Sequence, residues 1–240
     1  MSQAVIEPQT HGTGHDAGHA HDQAEHPPTS TGINSRKLLM WLFLASDCMF
    51  FGALIATYML YRGKETVGPF PRELIDIPYT SVSTFVLLMS SLAMVLALAA
   101  LQRGDLRASR LWILGTALLG LIFLGGQFFE FTEFHHEGLS LQTNMFGATF
   151  FTVTGFHGAH VTIGVIWLLT LLFVSLRGGL KQEDSLDLEI AGLYWHFVDI
   201  VWIVIFTVIY LLPYPEGKSE VQETARRVFE TGHFLLAAIF

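Results

Sequence analysis

The chain alternates between long apolar stretches and short polar connections. Five apolar stretches cover about residues 38–60, 79–101, 111–129, 145–176 and 190–212. Each reaches the roughly 20 residues that a helix needs to cross about 30 Å of hydrocarbon. Gly, Pro and charged residues punctuate the connections. The pattern predicts an all-α, polytopic membrane protein, a bundle of five transmembrane helices.

The two ends of the chain have a different character. Residues 1–34 are polar and rich in His and Gly, a composition that predicts a disordered tail. Weak capture of zinc or copper by its imidazoles is an alternative use of this tail. Residues 35–213 form the predicted transmembrane domain. Residues 214–240 follow it as an extension, which we interpret as an amphipathic appendage that lies on the membrane surface or against a neighbour.

Composition strengthens the membrane prediction and narrows the partners. Hydrophobic residues make up 51% of the 240 residues and charged residues 14%, against about 25% charged in soluble domains. The net charge of −8 resides mostly in tails and loops, so nothing indicates a nucleic-acid partner. The single cysteine, Cys48, excludes a disulfide within the chain. Residues 1–34 lack the short apolar core of a cleavable signal peptide.

The distribution of Lys and Arg predicts the orientation. The connections after the second and fourth apolar stretches carry five of these residues. Those after the first and third carry three. Since positive charge favours the cytoplasmic side, we expect a cytoplasmic N-terminus and a C-terminus outside.

Ionisable residues interrupt three of the predicted spans at similar depth. At 1.5 Å per residue, they lie roughly 8–13 Å from the inner surface. They are Asp47, His157, His160, His196 and Asp199. Glu130 instead lies near the outer boundary. Because an unpaired charge at the bilayer centre costs about 2.5–3.5 kcal/mol, we expect these groups to face one another, a partner subunit or lipid headgroups.

Three interpretations fit this layer. His157-x-x-His160 and His196-x-x-Asp199 each place two metal ligands on one helix face, and Asp47 could complete a site. Intramembrane Asp and His also serve in proton transfer. A structural network of interhelical hydrogen bonds, with or without lipid headgroups, requires no further chemistry, and we favour it.

Small residues form a second pattern on the fourth predicted helix. They recur at spacings of four and three, which places them on one narrow stripe. They are Ala148, Thr152, Gly155, Ala159 and Thr162. Such a stripe lets a neighbouring helix approach closely. We therefore expect the helix to pack on this stripe and to present His157 and His160 on the opposite face.

Four segments around these residues resemble subunit III of the haem–copper respiratory oxidases. They read ASDCMFF at 45–51, EFTEFHH at 130–136, GFHGAHV at 155–161 and YWHFVDIVW at 194–202. They occur in the family's order, and the resemblance covers about residues 37–214. The chain is similar to the shorter bacterial form with five helices. The residues after Pro213 depart from the family's usual ending.

The resemblance implies an accessory role in a membrane complex. The family's subunit III binds no haem or copper, which belong to subunits I and II. It packs against subunit I, holds phospholipid, and sustains proton uptake and stable turnover. The six polar residues match the family's recurrent buried positions, and the implied location is the bacterial plasma membrane. The extension after Pro213 is a candidate contact with other respiratory-chain subunits.

The expected complex is a proton-pumping oxidase that reduces oxygen with electrons from cytochrome c. Quinol is the alternative electron donor. A stand-alone metal-dependent membrane enzyme is an alternative of another class. A transporter is a third, although the sequence contains no inverted repeat or broken helix that favours it.

Overall fold

The computed structural model describes residues 34–63 and 76–212, and five long helices account for most of them. They are α1 (Ser35–Tyr61), α2 (Ile77–Gln102), α3 (Leu106–His136), α4 (Met145–Leu176) and α5 (Ser185–Phe206). A 3₁₀ turn, Gln182–Asp184, leads into α5, and a π-helical turn, Thr207–Leu211, extends it. All five are long and apolar enough to cross a membrane, which confirms the predicted fold class.

Short polar residues begin three of the helices. Asp76, Asp105 and Asn144 precede α2, α3 and α4, and the side chain of each accepts a hydrogen bond from a backbone N–H in the first turn. These bonds satisfy donors that have no partner within the helix. The predicted tail 1–34 lies outside the described residues except for Asn34, and the extension 214–240 lies wholly outside them.

Glycines end four helices. Gly63, Gly104, Gly138 and Gly178 all have φ between 75° and 87°, a conformation that glycine adopts without a steric penalty. Helix α3 consequently runs to His136, seven residues beyond Phe129, where its predicted apolar stretch ends. The apolar pattern marks where the chain leaves the hydrocarbon, whereas the glycine marks where the helix ends.

Helix α5 occupies the middle of the bundle. It packs against α1, α2 and α4, while α3 packs against α2 and α4. Of the five spans, α5 is the most buried and α1 the least. The indoles of Trp195 and Trp202 are almost fully enclosed. The core therefore lies around the aromatic face of α5.

Glycines on α3 and α4 allow these helices to approach α5 closely. The stripe of small residues on α4 does not face α5. A Cβ on Gly164 would lie 2.9 Å from the indole of Trp195, and one on Gly120 would lie 2.7 Å from it. Within the stripe, Ala159 is exposed, and a Cβ added to Gly155 would have no neighbouring atom within 4 Å. The expected packing face of α4 was thus wrong within this chain, because the bulky aromatics of α5 demand glycine on the face that carries His157.

Candidate functional site

Asp47 of α1 and His160 of α4 form a contact between two helices. The imidazole Nε2 lies 3.5 Å from the Asp47 carboxyl. Its Nδ1 lies 2.7 Å from the Phe156 carbonyl, which can only accept, so Nδ1 carries the proton. Nε2 is left to face Asp47. The Asp47 Oδ2 that it faces has no hydrogen bond of good geometry among the described residues.

Aromatic rings surround this Asp47–His160 pair. Phe51 stands edge-on to the imidazole at 5.0 Å between centroids, and the Tyr194 hydroxyl donates to the His160 carbonyl at 2.9 Å. The side chains of Asp47 and His160 nonetheless keep 15% and 16% of their surface exposed. The pair is therefore partly open to whatever covers α1 and α4.

His196 and Asp199 lie on α5 and face α2. The Ser91 hydroxyl is 2.6 Å from His196 Nδ1. Ser91 also interacts with the Asp199 carboxyl. Neither carboxyl oxygen, however, has a partner of hydrogen-bond geometry among the described residues. The Ser91 hydroxyl thus bonds to His196 and lies near the Asp199 carboxyl without a hydrogen bond of good geometry to it.

His157 occupies a different environment from His160. Its ring stacks on Trp202 at 4.9 Å with an interplanar angle of 26°, and stands edge-on to Phe123 at 5.9 Å. The residue is fully buried, and neither ring nitrogen has a hydrogen-bond partner among the described residues. The two histidines of His157-x-x-His160 therefore face different helices.

Glu130 forms a separate cluster with Thr80 and Tyr210, at the end of the bundle where α2 begins. The Tyr210 hydroxyl donates to its Oε1 at 3.0 Å, and the Thr80 hydroxyl donates to the same oxygen at 3.1 Å. Tyr210 belongs to the π-helical turn that extends α5. The carboxyl of α3 is thereby linked to the first turn of α2 and to the π-helical turn that follows α5.

Sequence reasoning missed a row of hydroxyls along α2. The indole of Trp202 donates to Thr84 at 2.9 Å, and that of Trp195 donates to Ser90 at 2.9 Å. Each hydroxyl in turn donates to a carbonyl of its own helix. The signal was present, because the hydroxyl residues Thr80, Thr84, Ser90 and Ser91 all lie in an apolar stretch without charge.

Ion pairs join the N-terminal ends of α1 and α5. Arg36 contacts Asp187 and Lys37 contacts Glu189, each at 2.5 Å. Both acids lie in the first turns of α5, where the helix dipole favours negative charge. These pairs place the beginnings of α1 and α5 at the same end of the bundle, as expected for helices separated by four crossings.

The structure thus distributes the predicted layer over separate contacts. Asp47 and His160 meet, Ser91 bonds to His196 and lies near Asp199, and His157 lies among aromatic rings. Within residues 34–63 and 76–212, no three His, Cys, Asp or Glu side chains are grouped closely enough to hold a metal ion. The described residues therefore contain no preformed metal site for the stand-alone enzyme interpretation.

Comparison with known proteins identifies the family. The family described as "Cytochrome c oxidase subunit III" matches residues 22–214. A cytochrome c oxidase subunit 3 from Bacillus sp. (strain PS3) is 41% identical over 172 residues, 72% of this chain and 83% of the relative. A quinol oxidase subunit 3 from Bacillus subtilis (strain 168) is 38% identical over 172 residues, with 72% and 84% covered.

A third relative covers more of the chain. The cytochrome bo(3) ubiquinol oxidase subunit 3 from Pseudomonas aeruginosa is 36% identical over 218 residues, 88% of this chain and 99% of the relative. Five apolar helices and polar groups turned toward one another agree with these similarities. The chain belongs to the cytochrome c oxidase subunit III family of the haem–copper oxidases.

Proposed function

We propose that this chain is the non-catalytic subunit III of a proton-pumping terminal oxidase that reduces oxygen with electrons from cytochrome c. Haem and copper would be bound by subunits I and II. The family match over residues 22–214 carries the proposal. The chain's own contribution would be to stabilise subunit I, to bind phospholipid and to support proton uptake.

The Asp47–His160 pair supports the accessory role. It holds a carboxyl and an imidazole in contact at membrane depth, yet leaves part of both side chains exposed. Since polar groups in contact with hydrocarbon are costly, this exposed part favours a covering by subunit I or by a lipid headgroup. The described residues Glu130, His157, His196 and Asp199 are interior to the bundle or at helix contacts, where a supporting polar network would be placed.

Removal of the Asp47 carboxyl tests that role. We expect Asp47→Ala in the intact oxidase to leave haem content unchanged but to shorten the active lifetime or loosen the association of this subunit, because His160 loses its partner. Asp47→Asn is the matched control, since its amide keeps the shape of the carboxyl and a polar group against the imidazole. Lifetime and association equal to wild type in Asp47→Ala would refute a structural role for the pair.

The electron donor requires a measurement on the complex. Relatives named as cytochrome c oxidase and as quinol oxidase subunits are similarly close, which favours quinol as the second candidate. The purified oxidase should be assayed with reduced cytochrome c and with a quinol. Oxidation of quinol alone would exclude cytochrome c as the donor, without affecting the family assignment.

Co-purification and metal analysis test the accessory role itself. The tagged chain is expected to purify with a haem-bearing, multi-span subunit and to contain no stoichiometric iron or zinc when separated from it. Stoichiometric metal that is lost in His157→Ala or His196→Ala would favour the stand-alone metal-dependent enzyme instead. Purification without a haem-bearing partner would contradict the proposed function.

We place the protein in the bacterial plasma membrane with its N-terminus in the cytoplasm. The excess of Lys and Arg after the second and fourth spans supports this orientation. Alkaline phosphatase fused after Leu212 should be active, and a fluorescent protein that folds only in the cytoplasm should stay dark there. The opposite pair of results would reverse the orientation.

A further inference from the structure

The interior of the bundle contains an imidazole whose polar atoms have no protein partner. His157 is 0% exposed, and both its ring nitrogens lack a hydrogen bond among the described residues. Trp202 and Phe123 cover it with aromatic rings. A neutral imidazole has one N–H donor and one acceptor nitrogen, and a stacked ring at best weakly satisfies the donor. The acceptor nitrogen remains unsatisfied.

A second buried group without a hydrogen-bond partner, the carboxyl of Asp199, lies on α5. Asp199 is 3% exposed, and neither carboxyl oxygen has a hydrogen bond of good geometry among the described residues. It precedes Trp202 by three residues, about one helical turn along the axis. His157 stacks on Trp202, whereas Asp199 lies on the side of α5 that faces Ser91 of α2, so the two groups occupy separate places in the interior.

The energetic cost of these atoms points to a ligand. A buried donor or acceptor without a partner costs about 1–3 kcal/mol, and buried polar groups nearly always find a protein or water partner. His157 and Asp199 are enclosed by this chain alone, so a neighbouring subunit or a lipid headgroup cannot reach them. A molecule that satisfies them must be small, and it must both donate and accept hydrogen bonds.

We propose that the bundle binds internal water at two places, against the ring nitrogens of His157 in α4 and against the carboxyl of Asp199 in α5. Water has the required size, and buried waters typically make about three hydrogen bonds to polar groups that would otherwise be unsatisfied. It can accept from an imidazole N–H, and it can donate to the other ring nitrogen or to a carboxyl oxygen. This hydration is independent of the electron donor and of the role of the Asp47–His160 pair.

A density map of the intact oxidase tests the proposal, at a resolution at which buried waters elsewhere in the complex are visible. A peak is expected about 2.7–3.2 Å from a ring nitrogen of His157, and one at a similar distance from an oxygen of Asp199. The indole nitrogens of Trp195 and Trp202 are internal controls. They already donate to Ser90 and Thr84, so no water peak should lie beside them.

His157→Phe provides a matched variant. Phenylalanine preserves an aromatic ring against Trp202 but removes both nitrogens, so the peak at position 157 should disappear. A peak that persists there would show that the imidazole is not its ligand. The wild-type map decides the question even if the variant does not assemble. Absence of density beside either His157 or Asp199 in that map would overturn the proposal.

Discussion

Thr84→Val is expected to destabilise the protein by removing the acceptor of a buried indole. The Thr84 hydroxyl accepts from Trp202 Nε1 at 2.9 Å, and the two residues are 7% and 2% exposed. Valine has nearly the same shape as threonine, so packing changes little. The change leaves the indole N–H of Trp202 buried without an acceptor.

The expected magnitude follows from the burial of both partners. A buried donor left without its acceptor costs about 1–3 kcal/mol. Interhelical hydrogen bonds measured in a membrane average about 0.6 kcal/mol and reach about 1.7, because the unfolded chain in the membrane also finds partners. Between these limits, we expect Thr84→Val to lower the free energy of unfolding by about 1–2 kcal/mol.

The assay is reversible unfolding of the full chain in lipid–detergent micelles by titration with a denaturing detergent. Thr170→Val is the matched control, because Thr170 is exposed and its hydroxyl bonds to the Ile166 carbonyl of its own helix. Its effect should stay within about 0.5 kcal/mol. A double-mutant cycle with Trp202→Phe isolates the pair. Equal losses in Thr84→Val and Thr170→Val, or a coupling energy near zero, would refute the assigned bond.

Two further predictions concern glycine packing and the ion pairs. Gly164→Ala should destabilise by about 1–3 kcal/mol, because its Cβ would lie 2.9 Å from the buried ring of Trp195. Gly155→Ala should be neutral or stabilising in the same unfolding assay, since open space surrounds that position; a larger loss there than at Gly164 would contradict the packing. Glu189→Gln should cost about 0.2–1 kcal/mol, because its bond to Lys37 is only partly buried. That loss should shrink at high salt. The double variant Lys37→Glu/Glu189→Lys should regain part of the stability that the two single variants lose. No regain would argue against the pair.

The amino-acid sequence determines the number and kind of the elements. Membrane spans are visible in sequence because hydrocarbon requires about 20 apolar residues in succession, whatever their neighbours. The same local chemistry explains the glycines that end the helices. The length of the apolar run does not place those ends, since α3 continues through Glu130 to His136, just before Gly138, although its apolar run has already finished.

Side-chain pairing depends on which helices are neighbours. The depth count assigned Asp47, His157, His160, His196 and Asp199 to one layer, but depth specifies one coordinate only. The rotation of each helix about its axis and the identity of its neighbours decide which residues of the layer meet. His160 therefore contacts Asp47, while His157, three residues earlier, faces Trp202. A spacing of three residues on a helix leaves about 60° between side chains, enough to direct them to different neighbours.

The sequence alone thus determined a five-helix membrane protein and the motifs of its family. Hydrophobic length and local residue order carry both kinds of information. Only the tertiary structure decided that α5 lies at the centre, that Thr84 and Ser90 accept its indoles, and that the packed face of α4 is the one bearing His157. In lipid, helix association depends on shape and hydrogen bonding more than on burial of apolar surface, and these are properties of pairs of helices.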